Sequence, residues 1–232
     1  MKPIGIIGAM DVEVEHLVNC LKDVRMSTHV GIDYFEGTLA GKSVVLCQCG
    51  IGKVAAGACA AIMIDVFGVG SVINTGVAGS LDNDIDVLDL VVSTDTVEYD
   101  VDATPVGYEL GHVPQLDVTY YPASPGLVSH VVEVAREVEP EMGIHRGRIA
   151  SGDRFVTSLA VKESITQVHH ALCCEMEGAA IGHICHVAKV PYVVVRMISD
   201  KVDGSYHLDY EIFEKKAANI CARLCERMVD ML

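Results

Sequence analysis

The spacing of apolar residues along the chain switches repeatedly between strand-like runs and helical periods. Ile4 to Gly8 is a short apolar run that predicts a strand, and from Asp11 to about Leu21 the positions Val14, Leu17, Val18 and Leu21 follow a helical period. Val24 to His29, Asp33 to Leu39 and Ser43 to Cys49 predict three more strands, the last two joined by a tight turn at Ala40-Gly41-Lys42. A helix from Val54 to about Asp65 follows the turn Gly50-Ile51-Gly52-Lys53, and Val72-Ile73 opens a strand that enters a glycine-rich turn around Gly76 and Gly79. Asp89 to Thr96 predicts a strand; Val97 to Tyr121 is mostly loop, and loops of that length inside compact domains tend to be functional or interfacial. Ser124 to Val138 reads as a helix with Ser124 as its N-cap and Pro125 at the first helical position. Arg146 to Ala150 is a short strand and Leu159 to Val168 a helix. Tyr210 to Leu232 closes the chain as a long amphipathic helix with Ile212, Ala217, Ile220, Leu224 and Met228 on its apolar face.

The stretch from Ala171 to Asp200 carries the most information. Ala179, Ala180, Ile184 and Val187 recur at helical spacing behind a carboxylate pair, a turn follows at Lys189 to Pro191, and Val193-Val194-Val195 forms a β-branched run ending in a polar cluster. A strand without polar alternation is covered on both faces, as in the central strands of α/β folds. Ligands in such sheets collect beyond the carboxyl ends of the strands, where Ser199 and Asp200 stand. The expected fold is therefore α/β, a central mixed twisted sheet flanked by helices. No Pro, Gly or Ser linker divides the chain, so residues 1–232 are expected to form one domain.

Charge and composition narrow the chemistry. A formal charge of −15 repels phosphate backbones and argues against nucleic acid as a partner. The apolar runs are too short or too interrupted to span a bilayer. The cysteines number nine, an odd count; Cys20, Cys59, Cys185, Cys221 and Cys225 fall among apolar helical residues, and a strand begins directly after Met1-Lys2 with no signal peptide. Reduced, structural cysteines in a cytoplasmic protein are expected. Gly50-Ile51-Gly52-Lys53 has the spacing of neither a P-loop nor a dinucleotide fingerprint, so no nucleotide cofactor is expected. His169, His170, His183 and His186 lie near Cys173, Cys174 and Cys185, but without a CxxC pair or an HExxH helix, and no metal is expected either.

Several motifs occur together, in order. Gly5-Ile6-Ile7-Gly8-Ala9-Met10 with Glu13, Gly50-Ile51-Gly52-Lys53-Val54-Ala55, Asn74-Thr75-Gly76, Ser151-Gly152-Asp153, Cys174-Glu175-Met176-Glu177-Gly178-Ala179-Ala180 and Arg196-Met197-Ile198-Ser199-Asp200 span essentially the whole chain. The pattern resembles the nucleoside phosphorylase and nucleosidase superfamily, and most of all its 5'-methylthioadenosine/S-adenosylhomocysteine nucleosidases. The resemblance implies a nucleoside phosphorylase-like three-layer sandwich and a homodimer acting on small adenine nucleosides with water. It implies that Asp200 serves the purine N7 and the exocyclic amine with Ser199 orienting it, that Glu177 accepts from the ribose hydroxyls, and that Glu13 activates water. Met176 and Met10 would lie by the sugar, Phe155 would stack on the base with the Val156 backbone at its edge, and Arg196 would hold Glu177 or a water. Ile51 and Tyr210 join the substrate-binding set, while Tyr108 and Pro114 match a loop that in relatives crosses to the other subunit and covers the substrate tail. Two positions depart from the pattern: Val77 replaces a serine common in the nucleosidases, and Val106 stands where some relatives have an aromatic residue.

Breaking an N-glycosidic bond builds positive charge on the sugar and negative charge on the base, so a proton donor at the base and carboxylates near the sugar suit the reaction. A carboxyl group at position 200 can accept from a 6-amino group and donate to N7, which favours adenine over a 6-oxopurine. Gly8 to Glu13 supplies two acids and no cation, so a phosphate there meets like charge and water is the expected nucleophile. A futalosine-type nucleosidase and a purine nucleoside phosphorylase remain the alternative readings.

Overall fold

The computed structural model describes residues 2–9, 11–202 and 210–232, and the side chains of all of these except 11–13, 210–212 and 214–215. Sixteen regular elements follow in chain order. They are β1 (Ile4–Gly8), α1 (Asp11–Cys20), β2 (Lys22–His29), β3 (Ile32–Leu39), β4 (Lys42–Gln48), α2 (Lys53–Asp65), β5 (Ser71–Ser80), β6 (Leu90–Glu98), β7 (Tyr121–Pro122), α3 (Pro125–Val138), β8 (Ile144–Ser151), α4 (Leu159–His169), β9 (Ala171–Glu175), α5 (Gly178–Ala188), β10 (Tyr192–Asp200) and α6 (Tyr210–Met231).

The strands form one mixed sheet that curls on itself. β10 pairs in parallel with β5 and antiparallel with β6; β6 continues through β8 to β9, and β9 returns antiparallel to the end of β5, closing a ring. β1, β4, β3 and β2 extend from the first half of β5 as a side sheet. β5 thus serves two partners along one edge, β1 against Ser71 to Asn74 and β9 against Gly79 and Ser80. The gap where these two partners part, between Asn74 and Gly79 of β5, follows the carboxyl end of β1, the kind of place where ligands collect in such sheets.

Helical periodicity is realised as burial. Val14, Leu17 and Leu21 are buried at α1, and Ala217, Ile220, Leu224 and Met228 are buried along α6, while Ile212 falls outside the described side chains. Val193 to Val195 are fully covered in β10, as the lack of polar alternation requires. Ser124 occupies the N-cap position of α3 with Pro125 next, although its hydroxyl makes no capping bond.

One strand was not foreseen, and two expectations need correction. Ala171 to Glu175 is a strand, β9, because pairing with β8 and β5 fixes these five residues. Asn74 to Ser80 is no turn: β5 runs through Gly76 and Gly79 to Ser80. The expectation of reduced cysteines holds for Cys20, Cys49, Cys173, Cys174, Cys185, Cys221 and Cys225, whereas the sulfurs of Cys47 and Cys59 are joined where β4 faces α2. Their Cα atoms stand 7.7 Å apart, wide for such a bridge. No described helix is long and apolar enough to cross a membrane.

Candidate active site

A buried polar network ties together the strands whose ends form the site. Asn74 on β5 donates its amide to the Ile7 carbonyl of β1 at 2.9 Å and accepts from Arg196 Nη2 of β10 at 2.6 Å. The Arg196 guanidinium then grips Glu175 at the end of β9 through Nη2 and Nε, the latter at 3.2 Å. Glu175 in turn accepts from the backbone amides of Glu177 at 3.1 Å and Gly178 at 2.8 Å, and from the Ser151 hydroxyl at the end of β8. Ser151 Oγ also receives the Ala179 amide at 2.6 Å. One carboxylate therefore satisfies the orphan donors at the N-terminus of α5, a place where the helix dipole favours negative charge. Arg196 is 1% exposed, so this ion pair holds only because the surrounding donors and acceptors are matched.

Arg196 reaches both carboxylates of this turn. Arg196 takes Glu175 as its main partner, and Glu177 Oε2 stands 4.0 Å from Nη2. The reason is local: Glu175 ends a strand and points inward beside β10, whereas Glu177 sits at the N-cap of α5 and turns toward the β4–α2 junction. There its Oε1 accepts the Gly52 amide at 2.9 Å. Gly52 has φ +97°, a left-handed conformation suited to glycine, and a Cβ there would lie 3.0 Å from Asp153 Oδ1. Asp153 receives the Lys53 amide at 2.8 Å, so the first turn of α2 is held by carboxylates from two loops.

Behind this junction lies a second charged cluster. Lys53 Nζ pairs with Asp100 at 2.6 Å and Glu98 at 3.1 Å, and Glu98 also takes His183 Nδ1 at 2.8 Å and the Tyr121 hydroxyl at 3.2 Å. Burial pushes the Glu98 carboxyl up, but the bond from His183 and the Lys53 ammonium outweigh it and leave its pKa below the ordinary value. A depressed carboxylate stabilises the fold above its unfolded value of about 4.5, and that contribution is lost as pH falls through the lower folded value. We expect the urea midpoint to decline below about pH 4.5 and Glu98→Gln to remove part of that slope, both read from denaturation curves across acid pH.

At the end of β10 the Asp200 carboxylate is held from two sides. Ser199 Oγ lies 2.8 Å from Oδ1 and 3.1 Å from the Ala78 carbonyl, which fixes the orienting hydroxyl against β5. Lys162 Nζ, on α4, lies 2.6 Å from Oδ2. A Cβ on Gly79 would come within 3.1 Å of the carboxylate, so this strand glycine admits the acid against the β5 backbone. The Asp200 side chain remains 42% exposed and so accessible to a ligand.

The remaining expected residues fall as follows. Phe155 is 78% exposed and Ile51 63% exposed on neighbouring loops, and Val156 and Met176 are half-buried. Tyr108 stacks on His112 with ring centroids 5.0 Å apart, and Pro114 is exposed on the same loop, which makes a single 3-10 turn at Thr104–Val106. Met10 and the side chains of Glu13 and Tyr210 lie outside the described residues. Sequence reasoning passed over Glu175, Ser151, Asn74 and Lys162 as functional groups. Lys162 did leave a signal, since it shares a buried helix face with Ile165 and His169, where a lysine needs a partner.

The thiols of Cys173, Cys174 and Cys185 offer no nucleophile. Burial pushes Cys174 and Cys185 up to about 12 and Cys173 well above its ordinary value. Among the described residues no three His, Cys, Asp or Glu side chains converge as a metal site.

Comparison with known proteins agrees with this arrangement over the full chain. A family model described as the phosphorylase superfamily matches residues 3–230. A 5'-methylthioadenosine/S-adenosylhomocysteine nucleosidase of Halalkalibacterium halodurans is 38% identical over 235 residues, covering 100% of both chains. The crystal structure of the nucleosidase of that name from Neisseria meningitidis, in complex with methylthio-immucillin-A, superposes with a TM-score of 0.93 at 36% identity and full coverage of both chains. A futalosine hydrolase of Helicobacter pylori gives a TM-score of 0.92 at 34% identity, covering 100% of this chain and 98% of its own. With matches of this extent, the chain belongs to the phosphorylase superfamily, in the family of the 5'-methylthioadenosine/S-adenosylhomocysteine nucleosidases.

Proposed function

We propose that this chain hydrolyses the N-glycosidic bond of 5'-methylthioadenosine and S-adenosylhomocysteine, releasing adenine and the 5'-thio-substituted ribose. The observation that carries the reading is the Asp200 carboxylate, anchored by Ser199, exposed on its free side and set at the same end of the sheet as the buried Glu177. Asp200 donates a proton to N7 and accepts from the 6-amino group; Glu177, its Oε1 already fixed by Gly52, receives the ribose hydroxyls. Glu13 takes the proton of the attacking water, Met10 and Met176 line the sugar, and Phe155 covers the base beside Val156 and Ile51. Arg196 acts through Glu175, fixing the turn from which Met176 and Glu177 project. Tyr210, and Tyr108 with Pro114 from the loop of a second copy, complete the pocket around the tail in a homodimer. The whole of 1–232 works as one cytoplasmic hydrolase domain, a placement supported by the seven cysteines that remain thiols beside the joined Cys47 and Cys59.

A second reading rests on the loop. Val106, 73% exposed beside Tyr108, leaves room for a bulkier 5' substituent, and a futalosine hydrolase is among the structural relatives. Both readings are tested by following free base chromatographically from 5'-methylthioadenosine, S-adenosylhomocysteine, adenosine and aminodeoxyfutalosine in phosphate-free buffer. Fast release from the two thio-nucleosides supports the first reading. Release from the futalosine substrate alone transfers the assignment to the second, and no release from any of them removes both.

A further inference from the structure

The Lys162–Asp200 pair has no counterpart in the chemistry assigned so far. Lys162 belongs to α4, a helix otherwise outside the site, yet its side chain is only 3% exposed and its ammonium reaches the carboxylate that meets the base. Nζ lies 2.6 Å from Asp200 Oδ2 and 3.0 Å from the Lys201 carbonyl, so the cation is delivered to one carboxylate oxygen while Ser199 holds the other. Burying an ammonium is costly, and a surface ion pair would not require it.

We propose that Lys162 is a positioning residue for Asp200, an ammonium fixed behind the general acid to stabilise the carboxylate that forms as its proton passes to the departing base. The inference rests on the hydrolase reading above. As the glycosidic bond breaks, its electron pair passes to the purine, the O–H bond of Asp200 breaks, and the proton ends on N7. Asp200 gains a full negative charge at that moment, and a cation already held at hydrogen-bond distance needs no reorganisation to meet it. Lys162 touches neither base nor sugar and acts only through Asp200.

The other titratable groups around the pair leave this role to Lys162. The Cys174 thiol on β9 is neutral, pushed up to about 12 by burial, with Lys162 and Asp200 among the charges acting on it. The Lys201 ammonium is paired with Asp86. Glu163, next to Lys162 on α4, is exposed to solvent. Asp200 thus has one described cation in direct contact.

The test compares Lys162→Met and Lys162→Arg with the parent enzyme, measuring kcat and KM separately for 5'-methylthioadenosine, with melting curves to verify folding. Lys162→Met should lower kcat by on the order of 100-fold with little change in KM. The split between kcat and KM separates this role from a structural one, because a cation that acts only through Asp200 as its charge forms leaves ground-state binding of the nucleoside nearly unchanged. Lys162→Arg, which keeps the charge, should restore much of kcat. If Lys162→Met unfolds, Lys162→Gln keeps a donor to the Lys201 carbonyl without the charge and should show the same loss of kcat at a nearly unchanged KM. A loss that follows the melting temperature and raises KM as much as it lowers kcat, with no rescue by arginine, would mean that Lys162 only supports the fold. Parental kinetics in the methionine variant would overturn the inference while leaving the hydrolase reading intact; a parent enzyme that releases no adenine would overturn both.

Discussion

Asp200→Asn should lower adenine release from 5'-methylthioadenosine by about 100- to 10,000-fold, the range associated with a positioned proton donor. The amide keeps the shape of the side chain and still offers Oδ1 to the 6-amino group, so KM should move far less than kcat. Ser199 retains a partner, and Lys162 retains the Lys201 carbonyl at 3.0 Å, so the variant should fold. Steady-state kinetics with circular dichroism reads both quantities. A variant that keeps parental kcat would remove Asp200 from the chemistry and with it the preference for a 6-aminopurine.

The largest effect on stability is expected from Arg196→Met. The guanidinium bridges Asn74 and Glu175 at 1% exposure, and its loss leaves the Glu175 carboxylate buried without its cation. Breaking a buried pair from one side costs about 3–5 kcal/mol, which for a chain of this length lowers the melting temperature by roughly 6 to 20 °C. Adding Glu175→Gln should recover part of the loss, since the orphaned charge disappears while an acceptor for the Gly178 amide remains. Activity should fall along with stability, because Glu175 anchors the backbone of Glu177 and Gly178. Thermal melts of the single and double variants decide it: additive losses would show that the two side chains do not work as a pair.

Much of this architecture was legible from periodicity. β10 announced itself through Val193 to Val195, and α6 through an apolar stripe that is buried along its described length. β9 was not legible, because Ala171 to Glu175 is short, carries two cysteines and becomes a strand only through pairing with β8 and the end of β5. That omission explains why Glu175, the nearer partner of Arg196, was passed over beside Glu177. With Glu175 and Glu177 two residues apart, only the strand geometry decides which turns inward to the guanidinium and which faces Gly52. The extension of β5 through Gly76 and Gly79 was likewise hidden, since glycine ordinarily signals a turn; here Gly79 serves the close approach of Asp200. Ser199 and Asp200 were legible because they combine a strand end with a family pattern. Lys162 was passed over because a lone lysine on a helix is ordinarily solvated, and its meaning depends on where the helix packs.

The central claim is that water, and not phosphate, attacks the sugar at a site built from Asp200, Glu177 and Glu13. The most direct test runs the reaction with 5'-methylthioadenosine in 18O-water containing ample inorganic phosphate and weighs the sugar product by mass spectrometry. The account predicts free methylthioribose carrying one 18O atom and no sugar 1-phosphate. A product found as the 1-phosphate, with release that stops when phosphate is withdrawn, would contradict it and identify a phosphorylase.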